Sequence, residues 1–397
     1  MAKADAPPRA KRERDIRLDV FRGLAMGIIL IAHIPNNPWT LWIPARFGFS
    51  DATEMFVFCS GMASAFAFGK LYLSSGWKAG TARVTKRVGQ VYSAHILLFF
   101  LTLSLVIALT ALAITGRDYV GELNLYPFLT DGSAWSVWVN RVSLFTLTYV
   151  PNYFDILPMY LIVLTLLPLM MALAGVSVWL AFAFSVALWF GAQAGILWMP
   201  AEPWTDREWF FNPFGWQLLF FTGFAFVLGW LPKPSSQWWL VGLSFVFVVV
   251  SVPAAWFRLH QSYDWALAYR EVLWPFMDKT DFGILRYLHF LALAYLAYII
   301  AGEGGARFRV AGEGVVARFI RWFLGVVQAI GQQALIVFVT SMVLAQALGF
   351  VLDLMGRTML TVLLVNVFGL ATLYGVARVA RWVKKRPHRL RAAPATA

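Results

Sequence analysis

Residues 16–38 read IRLDVFRGLAMGIILIAHIPNNP. The first turns carry charge, and from Gly23 to Ala32 no side chain is ionisable. A bilayer-spanning helix needs roughly 20 mainly apolar residues, so 18–35 is a span. Pro35, Asn36, Asn37 and Pro38 follow it instead of a small-residue cleavage site, so the segment is expected to stay as an anchor. Asp19 and Arg22 are three apart and share one helix face, where they can pair. His33 lies about 16 Å further along the axis and close to whole turns away, so it projects much as Arg22 does. Ionisable groups inside a span usually face a cavity and mark function.

The same reading continues outward from this helix. Apolar stretches recur at 52–72, 89–114, 154–174, 176–198, 214–231, 237–257, 282–301, 331–352 and 358–380. The expected fold is therefore all-α: a polytopic integral membrane helix bundle with about ten transmembrane helices. The stretch from Trp135 to Tyr149 reads as interfacial, and residues 314–330 as a further surface helix. Composition agrees, with 60% hydrophobic and only 13% charged residues in 397. A soluble enzyme, a disordered chain and a nucleic-acid-binding domain are all excluded by such a balance. The one cysteine, Cys59, allows no disulfide framework or zinc cluster.

The net charge of +13 has a topological use. Lysines and arginines gather in the arm before residue 18, after the second span (Lys70, Lys78, Arg83, Lys86, Arg87), after the eighth (Arg307, Arg309, Arg318, Arg321) and in the tail. The alternate loops hold few, so both termini are expected to be cytoplasmic. The expected organisation is a basic arm at 1–17, a membrane domain at 18–382 and a basic tail at 383–397. Acids fall on the other side: Asp51, Asp118, Glu122, Asp131, Asp155, Glu202, Asp278 and Asp281 belong to outer loops or outer helix ends. Carboxylates and tryptophans suit carbohydrate, although outer loops are less basic for topological reasons alone.

Several side chains stand out for chemistry. Asp51 and Glu54 open the second span on one face, at the depth where His33 ends. Asp51 is also a good helix cap, which explains one acid but not both. Two carboxylates beside an imidazole can set its tautomer and basicity. Asp155 precedes Pro158 at the start of the fourth span, where an N-cap role is the simpler explanation. Asp278, Lys279 and Asp281 precede the eighth span, whose Arg286 and His289 share a face. His95 suits a structural role, and His260 and His388 fall in loops. On the cytoplasmic side Arg83, Lys86 and Arg87 form an anion-binding candidate, against the plain reading that such loops are basic for topology. No nucleotide-binding glycine loop and no HExxH motif is present.

Arg17-Leu-Asp19-Val-Phe-Arg22-Gly23, followed by His33, resembles the opening of the acyltransferase-3 family and its relatives, which move acyl groups to extracytoplasmic glycans. Phe49-Ser-Asp51-Ala-Thr-Glu54-Met-Phe-Val-Phe-Cys-Ser60-Gly61 resembles their second helix, and Arg83 to Arg87 their basic loop. Together with Phe154-Asp155-Ile-Leu-Pro158-Met-Tyr160 and Gly331-Gln332-Gln333-Ala-Leu, the chain resembles the OpgC family of osmoregulated periplasmic glucan succinyltransferases. Where many relatives have two adjacent arginines, this chain has Lys86-Arg87. The resemblance implies a bacterial inner-membrane enzyme taking an acyl group, succinyl above all, from cytoplasmic acyl-CoA (succinyl-CoA) to hydroxyls of a periplasmic glucan. It assigns catalysis to His33 with Asp51, Glu54, Asp155 and His289. Donor binding falls to Asp19, Arg22, Arg83, Lys86 and Arg87, and substrate binding to Arg286, Asp278 and Asp281. No metal and no nucleic acid is expected; the oligomeric state is left open. A secondary transporter and a non-catalytic member of a glucan-assembly complex are the alternatives. No convincing internal repeat supports the former.

Overall fold

The computed structural model describes residues 15–130 and 134–391, without the side chains of 134–136 and 385–391. The arm before residue 15, Asp131 and the last six residues of the tail therefore lie outside the described residues. So do the side chains of Trp135, Lys385, Arg386, His388, Arg389 and Arg391.

The longer helices are α1 (Ile16–His33), α2 (Ala52–Ser64), α3 (Lys70–Leu112), α4 (Ala134–Thr146), α5 (Ile156–Val176), α6 (Val178–Gln193) and α7 (Pro213–Leu228). They continue with α8 (Trp238–Ala255), α9 (Asp264–Leu273), α10 (Ile284–Ala301), α11 (Val315–Gly331), α12 (Ala334–Met355) and α13 (Met359–Arg391). No strand occurs among the described residues beyond an isolated bridge between Pro200 and Glu208.

Among the described residues, six helical stretches are long and apolar enough to cross a membrane: Ala52–Leu112, α5, α8, α10, α12 and Met359–Lys384. The first is 61 residues long and holds the expected second and third spans. Gly76 breaks it with a kink, at φ 80° and ψ −179°, a conformation open to glycine and to little else. The segment carrying Arg83, Lys86 and Arg87, expected as a loop, is thus helix. By the same measure the expected first, fifth and sixth spans fall short. α1 carries Arg17, Asp19 and Arg22, and α6 and α7 have 16 residues each. None of the α7 residues is exposed, and most are buried against neighbouring helices. α4, with 13 residues, is too short for a crossing. The tail expected to begin at 383 continues α13 as helix to Arg391.

α2 lies at the centre, pressed against α7. A Cβ on Gly61 would stand 1.9 Å from the Phe220 carbonyl oxygen, and one on Gly223 would stand 2.4 Å from that of Phe58. Only hydrogen at both positions lets the two backbones meet, the small-residue crossing common between membrane helices. α8 and α13 lie outermost and turn Phe245, Val249, Leu360, Leu364 and Phe368 outward. α11 is amphipathic: Val315, Val316, Phe319, Trp322 and Phe323 are exposed on one side and Arg318 and Arg321 on the other.

Candidate active site

Two polar regions sit at opposite ends of α1. At the Arg22 end, a cavity of about 450 Å³ opens among α1, α2, α3, α5 and α12. Arg22, Arg83, Lys86 and Arg87 all line it, together with Ser60, Ser64, Gln90 and Tyr160. Arg83 and Arg87 are one turn apart on α3, and Lys86 lies between them on nearly the same face. No carboxylate forms an ion pair with Arg83, Lys86 or Arg87 among the described residues. The Arg22 Nε is buried without a partner there, although the Asp19 charge reaches its guanidinium. Asp19, expected beside Arg22 in the donor site, does not line the cavity. Its carboxylate accepts from Gln332 Nε2 at 3.0 Å, and Gln332 Oε1 in turn accepts from Arg381 at 2.7 Å. Arg83 and Lys86 are exposed and Arg87 is half-buried, so water solvates them, and with Arg22 they make a cationic wall to which an anion can bind.

The inner end of this cavity is hydrophobic. Phe56 of α2 and Phe338 of α12 stack there with centroids 6.0 Å apart and planes at 17°, beside Leu157. About one helical turn further, Tyr153 donates to the Met342 carbonyl at 2.5 Å and meets the His33 ring edge-on, with centroids 5.3 Å apart. His33 does not line the cavity, whereas Phe56 and Phe338 do.

His33 is held by its own helix. Its Nδ1 lies 2.7 Å from the Ile29 carbonyl oxygen, which can only accept. The neutral ring therefore carries its proton on Nδ1 and keeps a lone pair on Nε2. The acids expected to orient this ring are engaged elsewhere. Asp51 and Glu54 form a capping box at the start of α2, with the Asp51 N–H donating to Glu54 at 2.7 Å and the Thr53 N–H to Asp51 at 2.7 Å. Each acid also takes a cation from the far side of the chain: Lys279 donates to Asp51 at 2.6 Å, and Arg286 Nε to Glu54 at 3.0 Å. Asp51 and Lys279 remain near enough for their charges to act on His33.

α10 fastens the residues before α2 as well. Arg286 donates to the Phe49 carbonyl, and His289 Nδ1 lies 2.7 Å from the Ser50 hydroxyl. His289 Nε2 is buried with no partner among the described residues. Arg286 and His289 thus both meet the segment 49–54, Arg286 at Phe49 and Glu54 and His289 at Ser50. Asp155 stands apart: it is buried and accepts from the Phe210 N–H at 3.2 Å. It offers no side-chain cap to α5. Phe210 and Phe211 lie over Lys279, each ring 5.7 Å away, so Asp155 reaches the cluster only through that loop.

Asp278 and Asp281 order their own loop. Asp278 accepts from the Asp281 N–H at 2.6 Å, and Asp281 accepts from Asn212 at 2.8 Å. Burial pushes the Asp281 carboxyl above its usual range; the Asn212 bond opposes this, and the Asp278 charge adds to it. His95 is fully buried, with neither ring nitrogen partnered among the described residues. Lys279, Ser50, Tyr153, Ser60, Ser64 and Tyr160 join the picture only in three dimensions. Lys279 was visible between two acids, but its partner Asp51 is 228 residues away. No group of metal-ligating residues occurs among the described residues.

A family model described as OpgC protein matches residues 14–385. No curated protein and no solved structure matches the chain.

Proposed function

The chain belongs to the OpgC family, and from that premise and the geometry above we propose that it is a transmembrane acyltransferase of the bacterial inner membrane. It moves an acyl group, succinyl above all, from cytoplasmic acyl-CoA to hydroxyls of a periplasmic glucan. The observation that carries this reading is the cavity that Arg22, Arg83, Lys86 and Arg87 line with no carboxylate among its lining residues, at the opposite end of α1 from His33. In this reading about ten passes, among them α1 and the short α6 and α7, leave both termini cytoplasmic, and the cavity faces the cytoplasm. The kinship with the acyltransferase-3 family belongs to the same proposal.

CoA phosphates rest on the cations, and the thioester end reaches past Phe56 and Phe338 to His33. His33 lies about 16 Å along α1 from Arg22, so the arm must pass the phenylalanine pair to bring the thioester to it. His33 Nε2 takes the proton of the glucan hydroxyl as its oxygen attacks the thioester carbonyl. The C–O bond forms, the C–S bond breaks, and the imidazolium returns the proton to the departing CoA thiolate. Because Ile29 fixes the tautomer, the acids are free for other work. Asp51 and Glu54, held by Lys279 and Arg286, shape the entry for the acceptor, and Asp155 positions the loop at Phe210. Passing only the acyl group through the bundle spares the enzyme the transport of a highly charged carrier.

His33→Ala is expected to remain folded in the membrane while glucan acylation stops. Mass spectrometry of periplasmic glucans from cells with and without the variant reads this directly. Retention of the succinyl mass increment at wild-type level in His33→Ala rejects the assignment.

A further inference from the structure

The cavity has a second wall that its cations do not explain. Ser60 and Ser64 are four apart on α2 and therefore share a face; both line the cavity, with Ala67 continuing the stripe. Just beyond Ser64 the helix widens into a π-turn over Ala65–Gly69, a local change of register found often at functional sites. Across the cavity, Tyr160 of α5 stands close enough to interact electrostatically with Arg22.

None of these three hydroxyls has a hydrogen-bond partner among the described residues, though Ser60 and Ser64 are only 4% and 2% exposed. Four other buried hydroxyls of the bundle bond within it: Ser185 donates to Gln217, Ser251 to the Val248 carbonyl, Thr222 to that of Leu218 and Ser341 to that of Phe338. Those of Thr102 and Thr110 on α3 are unpartnered among the described residues, but neither lines the cavity. A helical serine ordinarily bonds a carbonyl of the preceding turn. Ser60 and Ser64 forgo this and face open space instead.

The chemistry of a fitting ligand follows from the order of groups along the cavity. A phosphate seeks the guanidinium and ammonium groups of Arg83, Lys86 and Arg87. A purely apolar chain passing the hydroxyls would leave them dry and unpaired, which costs more than their bonds to water. Groups that both donate and accept, such as amides, satisfy them. Beyond the hydroxyls the Phe56–Phe338 stack presents only carbon.

We propose that Ser60, Ser64 and Tyr160 bind the uncharged, amide-bearing arm of a ligand whose phosphates rest on Arg83, Lys86 and Arg87. This rests on the acyl-CoA reading above and assigns the arm of that donor its own contacts. The residues act in binding and set which donors are accepted.

The test compares coenzyme A with its armless nucleotide, adenosine 3′-phosphate 5′-diphosphate, by calorimetry on the purified full chain in detergent micelles. Wild type is expected to bind coenzyme A about tenfold more tightly than the armless nucleotide, the yield of two or three hydrogen bonds. The combined Ser60→Ala, Ser64→Ala and Tyr160→Phe variant should lose that preference and keep its affinity for the armless nucleotide. Arg83→Gln with Arg87→Gln should weaken both ligands alike.

A triple variant that still prefers coenzyme A as wild type does overturns the hydroxyl wall and leaves the donor reading standing. Wild type that binds the two ligands equally overturns it as well. Wild type that binds neither overturns the donor reading, and the wall with it. Should the triple variant lose the armless nucleotide too, Ser60→Ala and Tyr160→Phe are measured singly. Each must then reduce the preference by about threefold, and an unchanged preference rejects the proposal.

Discussion

Arg286 and Glu54 show how much a single buried charge depends on its partner. Their side chains are 10% and 0% exposed and bonded at 3.0 Å. Removing one leaves the other charged, buried and unpaired, which typically costs about 3–5 kcal/mol, whereas replacing both with apolar groups of similar volume is often close to neutral. Arg286→Met alone is therefore expected to lower stability by about that amount, and Arg286→Met with Glu54→Met to recover most of it. Denaturant unfolding in micelles checks both variants; equal losses in the single and double variants would show that Arg286 acts through packing alone. Lys279 and Asp51 are more exposed, at 29% and 10%, so their pair is screened and breaking it should cost less. His33 differs from all four because its contact is local. The carbonyl of Ile29, one turn earlier on α1, sets which nitrogen is basic, so the ring keeps that tautomer whatever happens to the distant acids.

Among the helices, the crossing of α2 and α7 has the least tolerance. Gly61→Ala puts a methyl group 1.9 Å from the Phe220 carbonyl oxygen, and both backbones are fixed by the surrounding core. Overpacking of this kind costs about 1–3 kcal/mol or more, so the variant should unfold at lower temperature. Because α2 also carries Ser60 and Ser64 to the cavity and Glu54 to the other end, the shift should reach both regions. Gly76→Ala makes a useful contrast: no atom crowds its Cβ, and the whole penalty comes from the positive φ. Its loss, about 1–3 kcal/mol, should fall on the kink within α3 and hence on the placing of Arg83, Lys86 and Arg87. A thermal-stability series on the two variants, with calorimetric coenzyme A binding, separates them. Gly76→Ala should weaken binding more for each degree of stability lost, and a common ratio for both would contradict this account.

The whole molecule must stand one way in the membrane for its two ends to meet different compartments. The single native cysteine, Cys59, is buried, so introduced cysteines report on topology with little background. Ser236, next to Lys233 between α7 and α8, and Asp206, in the acidic segment before α7, are both exposed. With cytoplasmic termini, a membrane-impermeant maleimide added to intact spheroplasts is expected to label Asp206→Cys and spare Ser236→Cys until the membrane is opened. The reverse pattern would invert the chain and place the cation-lined cavity on the wrong side for a cytoplasmic donor.

Residues 16–38 and the apolar stretches after them determined by themselves that this chain is helical and built for a membrane, because one-dimensional hydropathy and span length are local properties. Local spacing likewise placed Arg83, Lys86 and Arg87 on one helix face, and Asp51 with Glu54 on another. What pairs with what was decided only by the tertiary structure. Lys279 reaches Asp51 across 228 residues and Arg286 reaches Glu54 across 232, distances at which sequence spacing carries no information. α7 illustrates the same divide: its apolar composition is legible in the sequence, but that α2 packs against it through Gly61 and Gly223 is not. Side-chain periodicity states which face of a helix is apolar, while the neighbour covering that face is fixed by packing the whole chain at once.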